Sequence, residues 1–223
     1  LLNTLSRHCI TTKTQLSSLR RVISAGAAVP SQTIERLQAC LSEIALIHTP
    51  YGATECLPVA TADTTLLLGD VRDKTAKGAG VCVGAIVHPN RVRVIRITDE
   101  PIEFWSDDLE VEAGQIGEIT VIGPTTTQGY FRRPVADAIA KIRDPADELS
   151  VHRMGDVGYV DDSGLLWFCG RKKHRVVSPI KTYFSVPIEA VFNTHPAVFR
   201  SALIGVEVNG QVKPAVCIEL EKE

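Results

Sequence analysis

The sequence predicts a mixed α/β, β-rich fold in two parts, and three observations predict it. Residues 19–48 read as strand, helix, strand, a βαβ unit. From about residue 81 to 122 apolar side chains recur at every second position between polar turns, the pattern of a distorted β-barrel or meander. Two hairpins follow, one turning on Asp161-Asp162-Ser163-Gly164 and one on Asn209-Gly210. Together they describe a βαβ unit plus a distorted β-barrel, followed by the start of a small α+β domain.

In chain order, Leu19 to Ala25 reads as a short buried strand, ending in the loop Gly26-Ala27-Ala28-Val29-Pro30. Ser31 is placed to cap a helix in which Ile34, Leu37, Leu41 and Ile44 recur at helical spacing through about residue 45. Ala45 to His48 is a second apolar strand, and Tyr51-Gly52-Ala53-Thr54-Glu55 reads as the loop after it. Ligands bind at the carboxyl ends of such strands, so both loops are candidate sites. Gly78, Gly80 and Gly84 read as turn chemistry, since no lysine follows at phosphate-loop spacing. Val92, Val94, Ile95 and Ile97, then Ile116, Ile119, Val121 and Ile122, mark the β-rich part, with Thr125-Thr126-Thr127 in a loop. Pro134 to Ile142 reads as a helix, Pro187 to Asn193 as another, and 201–208 and 212–220 as the last two strands.

The bulk composition excludes several classes. The chain has 223 residues, 44% of them hydrophobic, enough for a sizeable core. A net charge of −2 gives no footprint for nucleic acid. No apolar run of 18 residues is present to cross a membrane. The six cysteines form no CxxC pair and the six histidines show no ligand spacing, which points to reduced thiols and a cytoplasmic protein rather than a disulfide framework or zinc site. The chain opens without methionine, in mid-pattern, which reads as a piece of a longer protein.

Chemistry concentrates at the first hairpin. Asp156 stands just before its first strand, and Gly170-Arg171-Lys172-Lys173-His174-Arg175 just after its second. A hairpin joins its ends, so the acid and the bases are expected to face one small volume. A carboxylate accepts from a vicinal diol and a guanidinium donates to ribose or phosphate oxygens, a pairing that suits a nucleotide.

With the loops at 26–30, 51–55 and 117–134, this hairpin resembles the core motifs of the adenylate-forming superfamily of acyl-CoA synthetases, peptide-synthetase adenylation domains and luciferases. Tyr51-Gly52-Ala53-Thr54-Glu55 matches its YGxTE motif. Gly117-Glu118-Ile119 with Gly123 and Gly129-Tyr130 resembles the next motif. Gly155-Asp156 and Gly170-Arg171-Lys172-Lys173 resemble the ribose-binding and hinge motifs.

The resemblance implies ATP/AMP and Mg²⁺ as cofactors. It implies Gly26, Ala27 and Ala28 beside adenine, Tyr51 stacked on it with Gly52 in the same loop, and Thr54 on the α-phosphate. Glu55 would hold Mg²⁺, Asp156 the ribose hydroxyls, and Arg171 ribose or phosphate. Lys173 falls at the hinge, so residues 1–172 would be the back portion of the large AMP-binding domain and 173–223 a truncated small domain. The family's triphosphate loop and its late lysine have no counterpart here, so the isolated chain is expected to be inactive, a nucleotide-binding or structural remnant, while the parent is an ATP-dependent ligase.

Where many members carry a glycine loop for pantetheine, this chain has Pro179-Ile180-Lys181, and a β-branched residue tolerates positive φ poorly. That argues against CoA thioester formation. The run Phe168 to Val176, with Val191-Phe192-Asn193, looks most like the β-lactone synthetases of bacterial olefin biosynthesis. The substrate implied is a long-chain 2-alkyl-3-hydroxy acid, with a long-chain fatty acyl-CoA synthetase as the alternative. Association with other olefin-biosynthesis enzymes is the partner expectation.

Overall fold

The computed structural model describes residues 1–221. Helix α1 (Leu2–Thr12) buries Ser6 and Cys9 and stops at Lys13, which turns left-handed (φ 55°). Strand β1 (Arg21–Ile23) pairs in parallel with β2 (Leu46–Ala53), with helix α2 (Ser31–Gln38) between them, so the βαβ unit forms. Ile34, Leu37, Leu41, Ala45 and Ile47 close its core. Two details differ from expectation. The helix begins after Pro30, and Ser31 supplies no capping hydrogen bond. It ends at Gln38 rather than 45, because Leu41 leaves helical geometry to bridge Leu16 and Ile44 turns to solvent.

A larger difference follows. Residues 51–53 are not a loop: β2 runs through Ala53 and pairs antiparallel with β3 (Cys56–Asp63), leaving Thr54 and Glu55 as the turn. Short helices α3 (Thr64–Leu67) and α4 (Val71–Ala76) lead to β4 (Val81–Ile86) and β5 (Arg91–Ile95). Gly78 and Gly80 lie in the turn before β4, but Gly84 lies within that strand, where a β-carbon would stand 1.9 Å from the Thr61 carbonyl oxygen. After β6 (Gly117–Ile122), helix α5 (Pro134–Ala140) is shorter than expected, because Lys141 and Ile142 form strand β7 against the next strand.

The hairpin of β8 (Val151–Val160) and β9 (Leu165–Arg171) completes a nine-stranded sheet in the order β1-β2-β3-β4-β9-β8-β6-β5, with β7 beside β8. The βαβ unit and the β-rich part therefore share one sheet. Asp161 ties the hairpin turn: its carboxylate accepts from the Ser163 and Leu165 amides and from Trp167 Nε1 at 2.8 Å. Trp167, 1% exposed, stacks on Tyr159 with ring centres 5.9 Å apart, a pair that adds about 1 kcal/mol beyond its burial.

Past a tight turn at Lys172–His174 come β10 (Val176–Val177), β11 (Thr182–Tyr183), helix α6 (Ser185–Phe192), and the long hairpin β12 (Val198–Val208) and β13 (Gln211–Leu220). Asn209 (φ 53°) and Gly210 (φ 72°) both turn left-handed, as a two-residue hairpin of this kind requires. Ile180, between β10 and β11, is exposed and is not among the left-handed non-glycine residues, which among the described residues are Lys13, Arg132 and Asn209. Among the described residues no helix is long and apolar enough to cross a membrane.

Candidate functional site

Asp156 is the centre of the first constellation. It lies inside β8 rather than before it, directly opposite Arg171 on β9. Its side chain is almost fully buried, yet both carboxylate oxygens have donors: Arg171 reaches Oδ1 at 2.9 Å and the Tyr51 hydroxyl reaches Oδ2 at 2.7 Å. Burial pushes the Asp156 carboxyl up, against the lowering effect of those two donors. Burial, and then the Asp156 charge, push the Tyr51 phenol well above its ordinary range. The Tyr51 ring packs at a tilt on Phe168, centres 5.9 Å apart. Strands β2, β8 and β9 thus deliver an aromatic ring, a carboxylate and a guanidinium to one place. Each oxygen of Asp156 keeps a further lone pair for an outside hydroxyl.

The expectation that all the bases face this volume does not hold. Only Arg171 does. Lys172 turns inward and, with Arg153, surrounds the buried Glu118: Arg153 NH2 lies 2.7 Å from Glu118 Oε2, and Lys172 Nζ donates to that oxygen at 3.2 Å. Arg175 pairs with Asp99 at 2.6 Å. The reason is the turn: three residues of tight helical geometry at 172–174 point successive side chains in different directions. Lys173 itself is exposed and makes no side-chain hydrogen bond or ion pair among the described residues.

Glu55 is the centre of the second constellation. The hairpin turn between β2 and β3 presents it beside Thr54, which is exposed. The Tyr130 hydroxyl donates to Glu55 Oε1 at 2.7 Å. That hydrogen bond holds the Glu55 carboxyl below its usual range, and the Tyr130 phenol is pushed up to about 12 by burial and by Glu55. Glu55 is therefore ionised at neutral pH. One ionised carboxylate fits Mg²⁺, which keeps several waters and is held largely by substrate phosphates. Among the described residues no three His, Cys, Asp or Glu side chains gather into a protein-built cage. Lys141 and His152 line the same region. Burial lowers His152 to about 4, so it is neutral, and its Nδ1 lies 3.2 Å from the Ala140 carbonyl.

Gly52 lets the turn close. A β-carbon there would stand 2.5 Å from the Cys56 carbonyl oxygen, a backbone atom that cannot yield without moving the hairpin. Gly26 (φ 96°), Ala27 and Ala28 are exposed beyond β1, where Ser24 N–H reaches the His48 carbonyl of β2 at 2.9 Å. Because β1 runs parallel to β2 with Ile23 beside His48, they follow β1 at the end toward which β2 runs on to Tyr51. Sequence reasoning missed Phe168, Lys141 and His152 as site residues. The Gly129-Tyr130 motif contained a signal for Tyr130; an isolated lysine and histidine carried none.

The motif order and this geometry have a counterpart among known proteins. The AMP-binding enzyme family matches residues 1–131, more than half the chain. The chain belongs to that family. It is 49% identical over 209 residues to the olefin β-lactone synthetase of Xanthomonas campestris pv. campestris and 48% identical over 208 residues to that of Stenotrophomonas maltophilia, covering 92% of this chain in each case. It spans 37% and 38% of those relatives' lengths. A 2-succinylbenzoate–CoA ligase of Bacillus cytotoxicus is more distant, 28% identical over 93% of this chain and 38% of its own length. Among solved structures, the amide bond synthetase McbA of Marinactinospora thermotolerans (its K483A mutant) superposes with a TM-score of 0.77 at 23% identity, covering 100% of this chain and 41% of that one. The o-succinylbenzoate CoA synthetase MenE of Bacillus subtilis, in complex with ATP and magnesium ion, gives 0.72 at 21% identity, covering 99% and 41%. These structures share the fold.

Proposed function

We propose that this chain is part of an ATP-dependent enzyme that activates a carboxylic acid as an acyl-adenylate and closes a β-lactone. The observation that carries the nucleotide reading is Asp156, a buried carboxylate tied to Tyr51 on one oxygen and to Arg171 on the other. In this reading Asp156 accepts from the ribose hydroxyls and Arg171 donates to ribose or phosphate. The Tyr51 ring lies against adenine, beside Gly26, Ala27 and Ala28. Gly52 lets the backbone pass close, and Thr54 donates to the α-phosphate.

Glu55 would hold Mg²⁺, which when bound neutralises phosphate charge. The substrate carboxylate attacks the α-phosphorus of ATP, forming the mixed anhydride and releasing pyrophosphate. The β-hydroxyl of the same substrate then attacks the activated carbonyl, loses its proton, closes the ring and releases AMP. An internal nucleophile reacts at high effective concentration, so no second substrate is needed. Lys173 would serve as the pivot of the small domain between the two steps, with the boundary at 172/173.

Lactone closure of a long-chain 2-alkyl-3-hydroxy acid is preferred to CoA ligation because of the gap between 49% and 28% identity, and because Ile180 is not left-handed where a glycine loop would be required. The test is to incubate the full-length protein with ATP, Mg²⁺ and a 2-alkyl-3-hydroxy acid without CoA. AMP and β-lactone are expected in equal amounts. AMP release that strictly requires CoA would instead assign the protein as an acyl-CoA synthetase.

A further inference from the structure

The turn that carries Glu55 is held from outside by a second loop, and a buried lysine pins that loop. Thr127 N–H donates to the Glu55 carbonyl at 2.8 Å, and Thr126 bridges Cys56 in antiparallel register. Tyr130 donates its hydroxyl to Glu55 Oε1 at 2.7 Å, while its own N–H is fixed on Asp137 Oδ1 at 2.7 Å. Lys141 is 8% exposed. Its ammonium donates to the carbonyl and, at 3.1 Å, to the hydroxyl of Thr127, and lies 5.9 Å from the centre of the Tyr130 ring. Glu55 is therefore gripped twice, at its carboxylate by Tyr130 and at its backbone by a loop that Lys141 holds.

The hairpin closes through its own pairing of Ala53 with Cys56. These extra contacts are not needed to form the turn, and burying an ammonium is unfavourable unless its hydrogen bonds are made. What the contacts do is immobilise one carboxylate. A ligand already oriented by an outer hydrogen bond loses little side-chain freedom when it binds a cation, and such partners tune metal affinity strongly. We propose that Tyr130 and Lys141 are positioning residues for Glu55, setting the affinity of the nucleotide site for its divalent cation. Tyr130 acts on the carboxylate, Lys141 through Thr127.

This inference rests on the reading of Glu55 as the metal ligand, and the experiment separates the two. In the full-length protein, Mn²⁺ binding in the presence of α,β-methylene-ATP is titrated by electron paramagnetic resonance for wild type, Glu55→Gln, Tyr130→Phe and Lys141→Met. AMP affinity in EDTA is measured by calorimetry in parallel. Tyr130→Phe and Lys141→Met are expected to weaken Mn²⁺ binding by about tenfold or more, with AMP affinity in EDTA within about twofold of wild type, and Glu55→Gln to weaken Mn²⁺ binding further. Wild-type Mn²⁺ affinity in both positioning variants, with loss only in Glu55→Gln, overturns the inference and leaves the Glu55 reading standing. Unchanged Mn²⁺ affinity in Glu55→Gln overturns both. Loss of AMP binding in EDTA in both positioning variants also overturns the inference, since it would make their role a general one in holding the site together.

Discussion

Asp156 illustrates how the charge of a buried carboxylate is answered by its neighbours. A carboxylate at 3% exposure is unfavourable unless its charge is answered, and here a phenol and a guanidinium answer it from two other strands. Removing it leaves both donors without their acceptor and removes the proposed ribose acceptor. Asp156→Ala is expected to weaken AMP binding by about 1.5–3 kcal/mol, the range for a hydrogen bond to a charged group. Calorimetric titration of the full-length protein with AMP measures this, and unchanged affinity removes Asp156 from the site.

Sequence made Asp156 and Arg171 legible as a pair, because a hairpin must join its ends. It did not make Tyr51 legible as their hydrogen-bond partner. That contact spans 105 positions and depends on β2 and the β8–β9 hairpin meeting in one sheet.

At the scale of the element, the β2–β3 hairpin is the decisive piece. The motif at 51–55 reads as a loop after a strand because its polar residues and glycine match turn chemistry, yet three of its five residues are strand. Pairing with β3 decides this, and β3 carries Pro58 and little alternation to announce itself. The hairpin depends on Gly52, whose missing side chain makes room for the Cys56 carbonyl. Gly52→Ala must displace backbone rather than a flexible side chain. It is expected to destabilise the protein by about 1–3 kcal/mol and to weaken AMP binding as well, since Tyr51 is its neighbour. Urea denaturation with parallel AMP titration checks both; wild-type stability would show that the turn adapts freely.

The end of α2 makes a similar point. Leu41 and Ile44 keep helical spacing in sequence, but Leu41 is drawn to bridge Leu16, and tertiary pairing prevails over periodicity.

Across the whole molecule, buried charge joins distant segments. Glu118 on β6 receives Arg153 from β8 and Lys172 from the turn after β9, and both cations also donate to the Thr98 carbonyl. Arg175, beyond the turn, holds Asp99 of the same loop. The segment that leads into the last strands is thus anchored on both sides of Lys173. Glu118→Gln leaves two buried cations without their carboxylate and is expected to destabilise the protein by about 3–5 kcal/mol, read from the urea unfolding midpoint. A change under about 1 kcal/mol would mean that backbone carbonyls alone satisfy the two cations.

Acid is expected to act in part through His152. Its pKa is depressed from 6.5 to about 4, so the unfolded chain binds the proton more readily than the folded one. The stability from keeping His152 neutral is full above pH 6.5 and is lost as pH falls toward 4, about 3 kcal/mol at most. His152→Gln is expected to flatten the fall in unfolding free energy between pH 7 and 4.5. An identical pH profile in the variant would assign the fall to other groups.

The sequence by itself determined the local vocabulary: the βαβ unit, the Asp161–Gly164 and Asn209–Gly210 turns, the facing of Asp156 and Arg171, and the motif residues of the AMP-binding family. Each follows from spacing or turn chemistry within a few residues or across one hairpin. Only the tertiary structure decided which bases face inward, that Tyr130 grips Glu55, that Lys141 and His152 are buried, and that the two β regions are one sheet. Those outcomes depend on which strands become neighbours. Apolar burial between those strands brings them together, and the cost of desolvating charges and phenols, which then selects their partners, has no value until the surroundings that exclude water are in place.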